Sequence, residues 1–224
     1  RVFAQDNAGT AAARNAALAH ARAEWYVVLD ADDLLAPTFL ERILAFRAEH
    51  PGYDIYSANG ELLLRDGGRA PLLPRRGWDR VRSVSAAEQM GESLVPGTSL
   101  THRSVFERCG GYRAVYSEDY DFWLRALILG ARQIFLPERL WLYRRQADSK
   151  TTALVREAES ILEILTSARA MPELTPEDAS ACDAAIAFAE ARIGRRKLEE
   201  ALLRGEYAGA RGAYVRYRRA FPGA

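Results

Sequence analysis

The stretch VVLDADDLL, residues 27–35, runs a short apolar segment directly into three aspartates within four positions. Trp25 to Leu29 are all apolar, and the two valines and two aromatic residues favour a strand over a helix. A strand that is apolar on both faces is typical of a central strand in a parallel sheet. We therefore predict an α/β fold with Asp30 at the carboxyl end of a buried strand, where open sheets of this kind bind ligands.

The three aspartates need either neutralisation or water, because Asp30, Asp32 and Asp33 repel one another in any compact arrangement. One small residue separates Asp30 from Asp32, and this spacing lets both carboxylates converge on one divalent cation. Mg²⁺ and Mn²⁺ prefer hard oxygen ligands, commonly one or two carboxylates together with substrate phosphates. A solvated loop explains the acids equally well, with Asp33 as the cap of a helix that starts near Pro37. The residues alone leave both interpretations open.

A second acidic cluster, in YSEDYDFWLR, places Glu118, Asp119 and Asp121 at the start of an amphipathic helix. The helix dipole favours carboxylates at this end, which accounts for the acids without any further role. A carboxylate there is also suited to accept a proton from an acceptor hydroxyl as a general base. Arg14, in the first turns of an Ala-rich helix, is either a surface residue or a phosphate contact.

Other elements follow from turn and capping residues. RVFAQDN is predicted to be a short strand that runs into a loop, and Asn7 and Gly9 a turn before a helix capped by Thr10. A hairpin is predicted around Asp66, Gly67 and Gly68.

From about residue 152 onwards the pattern is helical only, so we predict an α/β domain over residues 1–151 and a helical extension over 152–224. Residues 192–219 hold nine basic and three acidic residues, although the whole chain has a net charge of +1. We favour helices that cover the sheet with arginines in water, and peripheral membrane contact through the basic helices is the alternative. The overall charge balance argues against a nucleic-acid partner.

Two isolated cysteines, Cys109 and Cys182, predict free thiols in a reducing compartment. The sequence contains no apolar run close to the roughly 18 residues of a membrane span and opens with no signal peptide. These features predict a cytoplasmic location, with the inner face of the membrane as a secondary expectation.

In combination, these motifs carry a family resemblance. The order N-x-G, A-R-N, apolar strand, D-x-D-D and Pro-led helix in residues 5–46 resembles the middle of a family 2 glycosyltransferase with the GT-A fold. Residues 96–130 are similar to the acceptor half of that family, and LWLYRRQADSKT is similar to its closing segment. The resemblance covers residues 1–151 and implies a Rossmann-like, mostly parallel sheet flanked by helices. It also implies that the first strands, which hold the nucleobase, are missing.

The resemblance further implies how a donor is bound. Asp30 and Asp32 would hold Mg²⁺ or Mn²⁺ and, with Arg14 and Asn7, a nucleotide-diphosphate sugar. Gln146 stands where the family usually has a histidine in its closing segment, which would alter the metal affinity or the rate.

For the acceptor, the resemblance implies that Asp119 is the catalytic base and Glu118 its neighbour. The implied reaction is an inverting transfer to a hydroxyl of a glycan, a lipid-linked acceptor or another molecule. Two other functions remain open: a non-catalytic, degenerate glycosyltransferase domain whose helical tail binds a partner, and another metal-dependent nucleotidyltransferase.

Overall fold

The computed structural model describes residues 1–64, 66–72, 78–144, 154–206, 211–212 and 214–215. The chain forms two compact units, one of Arg1–Ala114 with Glu118–Ser149 and one of Val115–Ser117 with Lys150–Ala224. The predicted boundary between an α/β domain of residues 1–151 and a helical extension of residues 152–224 stays a prediction.

The first unit alternates helices and strands. Its helices are α1 (Gly9–His20), α2 (Phe39–Glu49), α3 (Ala86–Gly91), α4 (Arg103–Cys109) and α5 (Glu118–Ile128). Its strands are β1 (Trp25–Val27), β2 (Leu34–Leu35), β3 (Ile55–Leu63), β4 (Arg69–Pro71), β5 (Ser99–His102) and β6 (Gln133–Arg144). Ser85 caps α3 by accepting from the Glu88 N–H, and Gly110 ends α4 in the left-handed conformation with a φ of 66°.

The described strands form one sheet in the order β1-β5-β3-β6-β2, with β4 paired to β3. Strands β3 and β6 are parallel, whereas the other pairings are antiparallel. The predicted α/β fold class is confirmed, but the sheet is mixed instead of mostly parallel. β1 lies at one end of this sheet and pairs antiparallel with β5, so its prediction as a central parallel strand was wrong. Its apolar character is explained by packing, since Trp25 and Val27 lie against the hydrophobic core.

That core lies between α2 and the sheet. It consists of apolar side chains from α2, β3, β5 and β6: Phe39, Ile43, Phe46, Tyr56, Ala58, Leu100, Ile134, Leu136 and Leu140. The buried face of α2 follows the spacing of Phe39, Ile43 and Phe46, while Leu40 and Leu44 are exposed. The core supports the strand ends that carry the polar residues of interest.

Several local predictions are settled by the structure. The hairpin is confirmed, because β3 and β4 pair across residues 64–68 and the Leu64 N–H donates to the Gly68 carbonyl. In the described structure residues 1–8 form no strand, so the strand predicted there was wrong. Thr10 lies within α1, whose N-cap is Ala8, and it does not cap the helix as predicted. Both cysteines are free, as expected.

The second unit contains α6 (Leu154–Arg169) and α7 (Pro176–Leu203). The Thr175 hydroxyl accepts from the Asp178 N–H at 3.1 Å and so caps the start of α7. The part of the predicted helical extension that follows residue 206 falls largely outside the described residues. None of the described helices combines the length and apolar character that a bilayer crossing requires.

Basic side chains of α7 pair with nearby acids. Arg192 contacts Glu157 and Lys197 contacts Glu159, while Arg195 and Arg196 both contact Glu199. The N···O distances of these four pairs lie between 2.6 and 3.7 Å. Part of the local positive charge is therefore neutralised within this unit.

Candidate functional site

The loop after β1 separates its three aspartates into different environments. The Asp30 side chain is 45% exposed and Asp32 is exposed, whereas Asp33 is only 6% exposed. Asp33 accepts from the Arg144 N–H at 3.0 Å, and Arg144 Nε donates to the Asp32 carbonyl at 3.0 Å. Asp33 therefore ties the loop to the end of β6 and does not cap α2, whose N-cap is Thr38.

Burial raises the pKa of Asp33 to about 6. The Arg144 N–H opposes this shift, and the charges of Asp32 and Asp30 add to it. Protonation of Asp33 at mildly acidic pH therefore relieves part of the repulsion among the three acids.

Arg14 joins the loop after β1 to the start of α5. Its side chain is 8% exposed, its Nη2 donates to both Asp30 carboxylate oxygens at 2.9 and 3.1 Å, and its Nη1 lies 3.4 Å from Glu118 Oε1. Burial alone would lower the pKa of Arg14, but the hydrogen bond to Asp30 and the charges of Asp30 and Asp119 raise it. Arg14 is therefore a buried cation shared between two acidic clusters and not a surface residue.

Asp119 lies in the same neighbourhood. Its Oδ1 accepts from the Tyr120 N–H at 2.8 Å, and a Cβ built on Gly97 would lie 3.9 Å from its Oδ2. Its charge also acts on the pKa of Arg14 and of Tyr112. One carboxylate oxygen is therefore held by the helix backbone while the other faces the loop before β5.

Two residues outside the predicted site lock α1 to the segment before α5. Asn15 Nδ2 donates to the Tyr112 carbonyl and the Tyr112 N–H donates to Asn15 Oδ1, both at 2.8 Å. The Arg14 guanidinium lies 5.3 Å from the centre of the Tyr112 ring. The A-R-N motif was the only signal in the sequence for this contact, since nothing in it indicated the partner segment.

Asp121 has a supporting position. It is fully buried, accepts from Arg125 Nε at 2.9 Å and from Arg113 Nε at 3.0 Å. Arg125 also donates to the carbonyls of Cys109 and Gly111 at 2.6 and 2.9 Å. This network anchors α5 to the end of α4, and so fixes the position of Asp119 in the first turn of α5.

Asn7 lies in the exposed segment before α1, where its Oδ1 accepts from the Gly9 N–H at 3.2 Å. The predicted turn is confirmed, and the role of Asn7 in donor binding stays a prediction. Gln146 lies outside the described residues.

The fit of a divalent cation depends on Asp30 and Asp32. Within the described ranges no three His, Cys, Asp or Glu side chains are grouped so as to hold a metal ion. Two exposed or half-exposed carboxylates at a strand end still suit Mg²⁺ or Mn²⁺, because these ions commonly take few protein ligands and complete their shells with phosphates and water. The residues present therefore fit a cation that arrives with a phosphate-bearing ligand.

The architecture of the chain is shared with solved glycosyltransferases. The structure of S. aureus TarS 1–349 in complex with UDP-GlcNAc matches with a TM-score of 0.64 and 16% identity, over 95% of this chain and 62% of that one. The mannosyltransferase PcManGT from Pyrobaculum calidifontis, in complex with GDP-Man and Mn²⁺, matches with a TM-score of 0.54 and 20% identity, over 95% and 67%. The fold is thus of the GT-A glycosyltransferase class.

Sequence comparison supports the same family. Residues 1–110 match the model of glycosyl transferase family 2, which agrees with the resemblance drawn from the motifs. EpsE of Bacillus subtilis strain 168, named as a candidate glycosyltransferase, is 30% identical over 151 residues, 64% of this chain and 51% of EpsE. An uncharacterized glycosyltransferase of Haemophilus influenzae is 27% identical over 143 residues, 60% of this chain and 49% of the relative. The chain therefore spans about half the length of the curated relatives it matches.

Proposed function

We propose that this chain transfers a sugar from a nucleotide-diphosphate donor to an acceptor hydroxyl, with inversion at the anomeric carbon. The observation that carries this proposal is the position of Arg14, which contacts Asp30 at the strand end and Glu118 at the start of α5. This contact brings the acids suited to a donor diphosphate and the acid suited to be a base into one neighbourhood. The match to the family model and the nucleotide sugars bound by the two structural neighbours support the same reaction class.

On the donor side, Asp30 and Asp32 would hold Mg²⁺ or Mn²⁺ together with the donor phosphates. A bound divalent cation would offset negative charge on the departing nucleotide diphosphate. Arg14 orients the Asp30 carboxylate through its hydrogen bonds to both oxygens and supplies a buried positive charge. Asn7 completes the proposed donor-binding set.

On the acceptor side, Asp119 is the proposed general base. Its Oδ1 is held by the Tyr120 N–H, so Oδ2, which faces Gly97, is the oxygen suited to take the acceptor proton. The deprotonated hydroxyl would attack the anomeric carbon from the face opposite the nucleotide. Glu118 is buried against Arg14, and this ion pair helps to hold the start of α5 in place.

If the donor is a sugar nucleotide, nucleotide binding and sugar transfer should be lost in different variants. We expect UDP or GDP with Mn²⁺ to raise the melting temperature of the wild type, and Asp32→Ala to abolish the shift. The matched control is Asp79→Ala, which removes an exposed carboxylate that is not in the predicted site. Asp119→Asn keeps an oxygen for the Tyr120 N–H, so it should retain the nucleotide shift while losing sugar transfer.

No shift with either nucleotide would argue against the donor proposal and favour the non-catalytic domain. A product that carries the nucleotide in place of the sugar would favour a nucleotidyltransferase. The acceptor, whether a glycan, a lipid-linked molecule or another alcohol, and a cytoplasmic location with contact to the inner membrane face stay predictions.

A further inference from the structure

We propose that Gln89 is a positioning residue for the acceptor. In this proposal its buried side chain holds the turn of residues 94–97 (hereafter the 94–97 turn) against Asp119. The inference rests on the proposed function, because it assigns the acceptor side to the oxygen of Asp119 that faces this turn. It extends that function by naming the part of the chain that sets the geometry between acceptor and base.

The first contact joins the buried side chain of Gln89 to the backbone of the 94–97 turn. Gln89 on α3 is fully buried, and its Oε1 accepts from the N–H groups of Leu94 and Val95 at 2.9 and 3.1 Å. Its Nε2 is buried and has no hydrogen-bond partner within the described part of the chain. An unpaired buried amide nitrogen is costly, so packing alone does not explain an amide here. The oxygen, which bonds two successive backbone N–H groups, does explain it.

The far end of the 94–97 turn is fixed as well. The Ser99 hydroxyl donates to the Pro96 carbonyl at 2.7 Å and lies 2.9 Å from the Ser57 hydroxyl on the neighbouring strand. The turn is therefore fastened to α3 at one end and to the sheet at the other. It has little freedom to move without breaking buried hydrogen bonds.

The residue that follows Asp119 is bonded to the same helix, α3. The Tyr120 hydroxyl, one residue along, donates to the Met90 carbonyl at the end of α3 at 3.1 Å. Met90 directly follows Gln89, so neighbouring residues of α3 hold Asp119 on one side and the 94–97 turn on the other. Gly97 is the point where the two approach each other, since a Cβ there would lie 3.9 Å from Asp119 Oδ2.

This arrangement has a kinetic consequence. An acceptor hydroxyl must come within about 3 Å of the base oxygen, and a displacement of about 1 Å can reduce the rate roughly 100-fold. Release of the 94–97 turn should therefore impair transfer to a large acceptor. Hydrolysis of the donor should change little, because water needs no surface to orient a sugar ring.

The test compares Gln89→Met with Gln133→Met. Gln133 is 1% exposed, its Oε1 accepts from the Val84 N–H at 2.9 Å, and its Nε2 is also unpaired among the described residues. It is therefore a matched buried glutamine whose backbone partner precedes α3 and does not belong to the turn. For each variant we would measure melting temperature, hydrolysis of UDP- and GDP-sugars with Mn²⁺, and transfer to a panel of p-nitrophenyl glycosides. Amide hydrogen exchange would report on Leu94 and Val95.

We expect Gln89→Met to lower the ratio of transfer to hydrolysis by roughly 100-fold and to speed exchange at Leu94 and Val95. Gln133→Met should leave both readouts unchanged at a similar loss of thermal stability. Gln89→Glu keeps oxygens for both N–H groups and loses no hydrogen bond that the structure shows, so it should restore the ratio, at a lower melting temperature because its carboxyl group is buried. Gly97→Ala adds one methyl group beside Asp119 without backbone strain and should lower the ratio with an unchanged melting temperature.

The outcomes separate the two proposals. If the wild type neither hydrolyses nor transfers any donor sugar, the proposed function fails and this inference fails with it. If the wild type is active but Gln89→Met keeps the ratio of Gln133→Met, only the inference is overturned. If Gln89→Met does not fold, an unchanged ratio in Gly97→Ala overturns it instead.

Discussion

Arg14 Nη2 lies within hydrogen-bond distance of both carboxylate oxygens of Asp30, at 2.9 and 3.1 Å, while Nη1 of the same guanidinium is 3.4 Å from Glu118 Oε1. Residues that are distant in the chain therefore share one buried positive charge. Asp30 keeps an exposed face, so it can contact Arg14 on one side and a ligand on the other.

Removal of the shared cation should destabilise the protein. We expect Arg14→Met to cost about 2–3 kcal/mol in free energy of unfolding, because it removes the cation that pairs with the buried Glu118 carboxylate and with Asp30. Arg42→Met, which breaks the exposed pair of Arg42 with Glu138, is the control and should cost less than about 1 kcal/mol. Urea unfolding monitored by circular dichroism measures both, and equal costs would contradict the role of Arg14.

Gly111 should tolerate no side chain. Its φ is 87°, and a Cβ there would lie 2.9 Å from Asn15 Oδ1, the atom that accepts the Tyr112 N–H. We expect Gly111→Ala to lower stability by about 1–3 kcal/mol through backbone strain and loss of the Asn15 contact. Gly91→Ala, where a Cβ meets no atom within 4 Å, should be neutral or slightly stabilising in the same thermal unfolding experiment.

The Asp121 carboxylate should contribute more to the stability of the protein than an exposed aspartate does. Its neutralisation in Asp121→Asn leaves Arg125, which is 7% exposed, with a weaker partner. We expect a loss of about 3 kcal/mol or more, together with weaker catalysis because α5 carries Asp119. Asp183→Asn disturbs an ion pair with Arg169 in which both side chains are about half exposed, and should cost less than about 1 kcal/mol. Similar melting temperatures for the two variants would contradict this prediction.

Asp33 predicts a pH dependence of stability. Its pKa in the folded protein is raised from 3.8 to about 6, so the folded state binds this proton more tightly than the unfolded state does. The resulting stabilisation is fully present below the unfolded pKa and is lost as the pH rises through about 6, by at most about 3 kcal/mol. Asp33→Asn should flatten the stability profile between pH 4 and pH 7 in the presence of EDTA. An unchanged slope would show that other groups cause it.

Local sequence was sufficient where local forces decide the structure. The helix that starts at Glu118, the left-handed end of α4 at Gly110 and the N-cap at Thr175 all follow from side chains within a few residues. The order of motifs also predicted the α/β class correctly, and the family that it resembles agrees with the family model that matches.

Local sequence failed where the partner is remote. The apolar run of β1 predicted a central parallel strand, but its apolar side chains are explained by packing against α2 and its neighbours at one end of the described sheet. One interpretation of the sequence made Asp33 the cap of the helix near Pro37, whereas its partner in the structure is Arg144, at the end of β6. Such errors have one cause, since burial and pairing depend on which strands meet in space.

By itself the sequence predicted which residues would bear the chemistry: the aspartates after β1, the acids at the start of α5 and an arginine in an Ala-rich helix. Only the tertiary structure decided that Arg14 lies between two of these acidic clusters, that Asp33 turns inward while Asp30 and Asp32 keep contact with water, and that Gln89 holds the 94–97 turn near Asp119. The physical reason is range, because helix propensity and capping act over about one turn, whereas hydrogen bonds between buried side chains and distant backbone groups form only after the sheet has brought those segments together.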